Sequence, residues 1–540
     1  MAFVKAKCSR NGSPPIRGAI HNPRWDHWIR RVGFLCVWSA ASTWSVAASH
    51  AGTFDLSVTD GSTGSVPCRI YLKDRGGKPV HPPRLPFWRD HFTCPGRVEI
   101  DIPGGRYAYE IERGPEFRRL AGSVEVPPSG RAQVVAVLTR IADMPSEGWY
   151  AGDLHIHRPV ADMRLLIRAE DLHFAPVITC WNHRGDWALK DPPDQTILRV
   201  DKNHFYDILG GEDEREGGAL LYFRLRRPLP IRDASREYPS PMKFAELARA
   251  EPNAWIDMEK PFWWDVPVWL ASGKADSIEL ANNHMCRSQM YESEAWGKPR
   301  DRTRLPPPKG NGYWSQEIYY QILNSGLRIP PTAGSASGVL PNPVGYNRVY
   351  AQLGQDLTPE RWWAAVKAGR SFVTNGPLLR VTADGNLPGH VFTAGNGGRV
   401  TVRLSVRLTS NDPVRRVEIV RNGEVMRTVP AEWNAQTAEA VVGDLGALEL
   451  NASGWFLVRT IVDNPVTFRF ASTAPFYVEI GDSPRRISRK SVTFFRDWVD
   501  ERITRIKKTV ADHSQQLEIL RYHEAARAFW DKRLSAANAP

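Results

Sequence analysis

Between residues 54 and 141 apolar and polar positions alternate in short runs, at 54–58, 69–72, 98–102, 107–111 and 132–138. A period of two is the pattern of a strand with one buried face. Turn signals separate the runs, among them Asp60-Gly61, Gly76-Gly77, Pro103-Gly104-Gly105 and Pro127-Pro128. The rhythm predicts a small β-sandwich over 52–145. From residue 146 the pattern changes. Strand-like apolar runs at 175–180, 219–223, 254–257 and 276–280 alternate with helical patterns at 241–250, 313–325 and 359–368. Thr358 can cap the last of these helices and Gly369 can end it. Strand–helix alternation predicts an α/β layer or barrel arrangement over 146–390. Strict alternation returns at 400–406 and 417–420, with Asn422-Gly423 as a hairpin turn, and predicts a second β-sandwich over 391–482. Beyond Pro484, Trp498, Ile503, Ile506, Val510, Leu517, Leu520 and Phe529 fall on one helical face. A C-terminal amphipathic helix is therefore expected over 483–540.

The length of 540 residues exceeds what a single core holds, so two to four domains are expected. A net charge of +12 invites a nucleic-acid reading, but its placement argues against one. Residues 1–51 carry seven Lys/Arg and one Asp, leaving 64 basic and 58 acidic residues for the remainder. That remainder has no basic stripe interleaved with aromatics, so no nucleic-acid partner is expected. The same leader has the plan of a signal peptide: Arg30-Arg31, an apolar run at 34–48, then Ser49-His50-Ala51 as a cleavage triplet. Export to the periplasm or the extracellular space is expected, by the Sec route or, given the paired arginines, by Tat. No later uncharged apolar stretch reaches this length, so no integral membrane segment is expected in the mature chain. Cys68, Cys94, Cys180 and Cys286 remain beyond the leader, and the absence of any C-x-x-C pair excludes a zinc ribbon. Cys68 and Cys94 share one small predicted domain; a disulfide and two separate buried thiols are both open readings.

The sharpest chemical signal is Gly152-Asp153-Leu154-His155-Ile156-His157. In an extended segment His155 and His157 project from one face, so both imidazoles can reach one metal. Neutral imidazole suits Zn, Mn or Fe. Asp153 shares that face, as a further ligand, a catalytic group or an acceptor for a ring N–H. The longer run Trp149-Tyr150-Ala151-Gly152-Asp153-Leu154-His155-Ile156-His157 resembles the opening of the CehA/McbA-type metallohydrolases, a branch of the PHP (polymerase and histidinol phosphatase) superfamily. The run 369–379, Gly-Arg-Ser-Phe-Val-Thr-Asn-Gly-Pro-Leu-Leu, followed by Asp384-Gly385 and Pro388-Gly389, is similar to that family's closing signature. The resemblance covers roughly 148–390. It implies a distorted PHP-like (β/α) barrel of seven strands, flanked by the two β-sandwiches, with divalent metals at the strand ends. It also implies water-driven hydrolysis of a phosphoester or other ester, since metal coordination lowers the pKa of water. On this resemblance His155 and His157 match the first metal motif, and Glu212 matches a bridging glutamate.

Other family motifs are altered. Cys180-Trp181-Asn182 stands where Asp and His are usual, with His183 one place on as a substitute. Gly217-Gly218-Ala219, Asp257-Met258-Glu259-Lys260-Pro261 and Gly334-Ser335-Ala336-Ser337-Gly338 likewise lack the usual ligands. A smaller site is expected instead, with His155, His157 and Glu212 joined by Glu259 or His284 around a mononuclear divalent metal. Glu259 with Lys260 also reads as an ion-paired polar core, and His284 as a hydrogen-bonded loop residue. Asp153, His183, Lys260 and Arg348 are the candidate catalytic residues. Arg348 suits an anionic substrate group or a structural salt bridge. Trp255, Trp263, Trp264, Trp269, Trp296 and Trp314 gather in the same third of the chain, as core or as a stacking platform for a small-molecule or glycan-like substrate. A non-catalytic glycan- or envelope-binding protein is the alternative to the hydrolase.

Overall fold

The computed structural model describes residues 51–61, 64–354, 356–482 and 485–540. Apart from Ala51, the expected signal peptide lies outside the described residues. The first strands stand where the alternation places them. Arg97–Pro103, Ala51–Thr59 and Arg131–Val137 form a three-stranded sheet, and Phe87–Trp88, His91–Cys94, Cys68–Lys73, Gly105–Glu112 and Leu120–Val126 form a five-stranded one. Phe54, Leu56, Ile70, Phe92, Ile100 and Ile111 pack into their common core. Cys68 and Cys94 lie directly opposite each other on neighbouring antiparallel strands, both buried as free thiols.

The α/β barrel expectation is corrected. Strand accounts for 37% and helix for 20%, and twenty-one strands from Trp149–Gly152 to Phe476–Ile480 form one hydrogen-bonded network. Parallel pairs join Phe174–Trp181 to His204–Arg215, and Trp255–Met258 to Ser277–Ala281 to Pro331–Ala333. Between them His204–Arg215 and Gly218–Phe223 run antiparallel, because Glu216-Gly217 leaves room only for a tight turn and not for a crossover helix, and Gly218–Phe223 pairs antiparallel with Trp255–Met258 although the helix Pro241–Arg249 lies between them. The strands of 391–482 belong to the same network rather than to a separate flanking sandwich: Phe470–Thr473 pairs with both Ser371–Thr374 and Gly454–Ile461. Periodicity over short apolar runs registers burial and not strand direction, which is why the alternation of strands and helices misled.

The expected C-terminal helix is two helices, Arg489–Thr509 and His513–Ser535. Val510 adopts an extended conformation, and Asp512 caps the second helix by accepting from the Gln515 N–H at 2.9 Å. The Ile487 N–H donates to Asn538 at 2.8 Å, so the two helices close as an antiparallel hairpin. Val492, Phe495, Trp498, Ala526 and Trp530 are buried in the principal core, whereas Leu517 is 55% exposed. Among the described residues no helix is long and apolar enough to cross a membrane.

Candidate metal centre

The strand Trp149–Gly152 delivers the chain into the segment that holds the two histidines. Ile156 bridges in parallel to Val177 on one side and Ser337 on the other. The Leu154 N–H donates to the Ala333 carbonyl at 3.0 Å, and the His157 N–H to the Ser337 carbonyl at 2.7 Å. Asp153 fixes the entry: its buried carboxylate accepts from the backbone N–H groups of His155, Ser335 and Gly345 at 3.0, 3.0 and 2.7 Å. The segment is thereby held extended, with both imidazoles on one side.

Those imidazoles meet Glu212, which sits in His204–Arg215 where that strand pairs with Trp181 and Leu221. His155 Nε2 and His157 Nε2 are 3.1 Å apart. Glu212 Oε2 lies 3.0 Å from His157 Nε2 and 3.6 Å from His155 Nε2. Tetrahedral coordination at about 2.0–2.1 Å places ligand atoms about 3.3 Å apart, so the three atoms match one face of such a site. A circle through them has a radius of about 1.9 Å, which leaves an ion just outside their plane at normal bond length. Glu212 Oε2 is buried and has no hydrogen-bond partner.

Carboxylates crowd around this triangle. On its other edge His155 Nδ1 faces Glu259 Oε1 at 3.6 Å and Glu279 Oε1 at 3.7 Å. Glu212, Glu214 and Glu259 form a second set, each offering an oxygen within 4.8 Å of the others. Burial alone would depress His155, yet the Glu212 and Glu279 carboxylates hold it well above the ordinary histidine range. Burial and the charges of Glu212 and Glu259 push the Glu214 carboxyl up to about 8. Both Glu279 oxygens are buried without a hydrogen bond, and burial raises that carboxyl well above its usual range. Lys260, in contact with Glu259 and 3% exposed, supplies one cation. The donor set and its unmet acceptors fit a divalent cation.

The remaining candidates fall in different places. Glu259 is already engaged, by Lys260, by the Trp263 indole at 2.7 Å and by the Asn283 amide at 2.7 Å. It stands behind His155 as a partner to the ring. Lys260 Nζ also lies 4.6 Å from the centre of the Trp263 ring. Asp257 accepts from Ser277 and Thr332 within the core. His284 packs against Phe262 and Tyr291 and joins neither set. His183 is exposed, 2.8 Å from the Arg232 carbonyl. Arg348 is buried, donating to the carbonyls of Gly345 at 2.6 Å and Glu170 at 3.3 Å. Trp255, Trp263, Trp264 and Trp269 are core residues with at most 3% exposure, so their rings present no stacking face. Sequence reasoning missed Glu214 and Glu279. Glu214 stands two residues from Glu212 on one strand face, the same spacing that drew attention to His155 and His157. Glu279 is a lone charge inside a wholly buried strand, Ser277–Ala281.

No family model matches the chain, and no curated protein matches it. A search of solved structures returns the N-terminal four Ig domains of Dscam1 isoform 7.44, at 8% identity over 80% of this chain and 100% of that one, with a TM-score of 0.13. A score at that level carries no argument about fold or function.

Proposed function

We propose that the chain is an exported metal-dependent hydrolase of a phosphoester or other ester, with His155, His157 and Glu212 holding the cation. The observation that carries this reading is the triangle of Nε2, Nε2 and Oε2 atoms with edges of 3.1, 3.0 and 3.6 Å, one corner of which is a buried acceptor without a donor. A divalent cation in that place supplies Lewis-acid chemistry and lowers the pKa of water towards neutrality. The protein's own part is orientation. His155 turns Nε2 to the triangle and Nδ1 to Glu259 and Glu279, the carboxylate–histidine arrangement that fixes tautomer and ring angle. Asp153 holds the backbone that carries both histidines. Export rests on the leader pattern of residues 1–51.

The test is elemental analysis of the purified chain, with turnover of a chromogenic phosphodiester. About one divalent cation per chain is expected, with turnover lost on chelation and restored by added metal. His157→Ala is expected to lose both metal and turnover, since removing one of three protein ligands leaves too few. Metal-free protein after expression in metal-replete medium, or turnover unchanged in His157→Ala, would overturn the reading.

A further inference from the structure

A polar cavity of about 60 Å³ lies between the first β-domain and the central strands. Five guanidiniums line it, those of Arg69, Arg119, Arg287, Arg348 and Arg469, against three carboxylates, Glu112, Glu170 and Asp412. Glu110, just outside, makes a fourth, on Arg287. The arginines span 400 residues of the chain, from Arg69 to Arg469, and no lysine joins them. Most of their donors are committed: Arg69 pairs with Glu112 and Glu170, Arg287 with Glu110 and Glu112, and Arg119 and Arg469 share Asp412.

Donors nevertheless remain. Arg69 Nε and Arg469 Nε are buried with no hydrogen-bond partner, on side chains 4% and 7% exposed. Arg348, 2% exposed, donates to the carbonyl oxygens of Gly345 and Glu170 and, among the described residues, forms no ion pair. A buried cation with no counter-ion is costly, and an orphaned buried donor costs about 1–3 kcal/mol. Like charges also crowd here: after burial itself, Arg69 and Arg469 depress the Arg287 guanidinium. With Glu110 counted, the wall holds one more positive charge than negative, and three of its arginines have uncommitted donors or no ion pair. Guanidinium is the group that binds oxyanions in a planar, two-pronged fashion. One water needs about 10–15 Å³ of such space, so 60 Å³ admits a few waters or one tetrahedral anion.

We propose that this cavity binds a small tetrahedral oxyanion of the phosphate class, at a site separate from the His155 centre. The ligand's charge offsets the excess of guanidinium, and its oxygens accept from the orphaned Nε–H groups. The cavity wall also touches the frame of the metal centre: Gly345 accepts from Arg348 and donates its N–H to Asp153, which in turn holds the His155 backbone.

The test is calorimetric titration of the full chain with inorganic phosphate in chloride buffer, with and without chelator. A parallel arm uses glycerol phosphate, to separate free phosphate from a phosphate monoester. One saturable site is expected, unaffected by chelation, displaced by sulfate, and tighter for inorganic phosphate than for the monoester. Arg119→Gln alters a partly exposed side chain and is expected to weaken binding about tenfold, because it cancels the wall's excess of positive charge. Arg119→Lys, which keeps the charge and loses the fork, is expected to fall between and serves if the glutamine variant does not fold. Absence of saturable binding to the wild-type chain overturns the proposal. So does binding that vanishes on chelation or stands unchanged in both Arg119 variants, either of which places phosphate elsewhere. The metal centre can fail its own test without touching this result.

Discussion

His155 is 1% exposed, and the smallest change beside it is the most informative. Gly334 packs against its side chain so closely that a Cβ would collide with His155 Cβ and with Glu279 Oε1. The glutamate tip can swing aside, but the His155 Cβ cannot without moving the strand. Gly334→Ala is therefore expected to cost about 1–3 kcal/mol of stability through overpacking and to displace one imidazole. Denaturant unfolding and metal content of the variant check both parts. A different histidine sets an acid limit. His173 Nδ1 accepts the Ala151 N–H at 3.0 Å inside the core, and burial lowers the ring to about 3 from an ordinary 6.5. The folded state refuses a proton that the unfolded chain takes up below 6.5. Stability from this group is thus full above pH 6.5 and is lost as pH falls towards 3, at up to about 1.4 kcal/mol per pH unit. His173→Asn, which keeps an acceptor for Ala151, is expected to flatten the unfolding free energy over that window; an unchanged slope would refute the assignment. His155 and His157 were legible in the sequence because a spacing of two puts both rings on one face and the run around them, Trp149 to His157, resembles a metal motif; the same spacing at Glu212 and Glu214 had no such run and went unread. Glu279 was not legible, because a carboxylate within an apolar run registers only as a break in the pattern.

At the scale of elements, a local rule could be read wherever the backbone demanded one residue type. Asn422 and Gly423 take φ of 50° and 92° between Arg416–Arg421 and Glu424–Trp433, the left-handed pair that a two-residue hairpin requires. Thr358 accepts from the Arg361 N–H at 3.3 Å and opens Pro359–Lys367, with Gly369 at φ 71° beyond its end. The break between the last two helices was equally local, an Asp512 cap followed three residues later by Gln515. The apolar spacing either side of Val510 continues almost in phase and hid it. Asp512→Ala is expected to remove that cap at a cost of about 1 kcal/mol, read as a shift in the denaturant midpoint with little change in its slope. A shift of several kcal/mol would show that Asp512 holds more than the Gln515 N–H.

Across the whole molecule the pairings that decide the architecture join distant residues. Ser371–Thr374 hydrogen-bonds to Phe470–Thr473 across about a hundred residues, and nothing within either segment encodes the partner or its direction. The C-terminal hairpin shows the consequence for stability. Arg502, 1% exposed, pairs with Asp265 at 2.7 Å and with Glu237 at 2.6 Å, and His523 lies 3.3 Å from the same Asp265 oxygen. Burial alone would raise the Asp265 carboxyl, but Arg502 and His523 hold it well below the usual range. The Trp530 indole donates to the Pro267 carbonyl at 3.0 Å, and Phe495 stacks on Trp530 at 4.9 Å. Removing both helices would strip the cover from Trp264 and leave Asp265 without Arg502 and His523. Arg502→Ala, which breaks the pair and keeps the helices, is expected to cost about 3–5 kcal/mol, and Arg502→Lys to recover part of that through one of the two contacts. A chain ending after residue 488 is expected to be recovered as aggregate, since the loss of apolar cover adds to the unpaired charge. If that truncated chain instead stays soluble and unfolds cooperatively, with a midpoint near that of the full chain, the hairpin is an appendage and the core is complete without it.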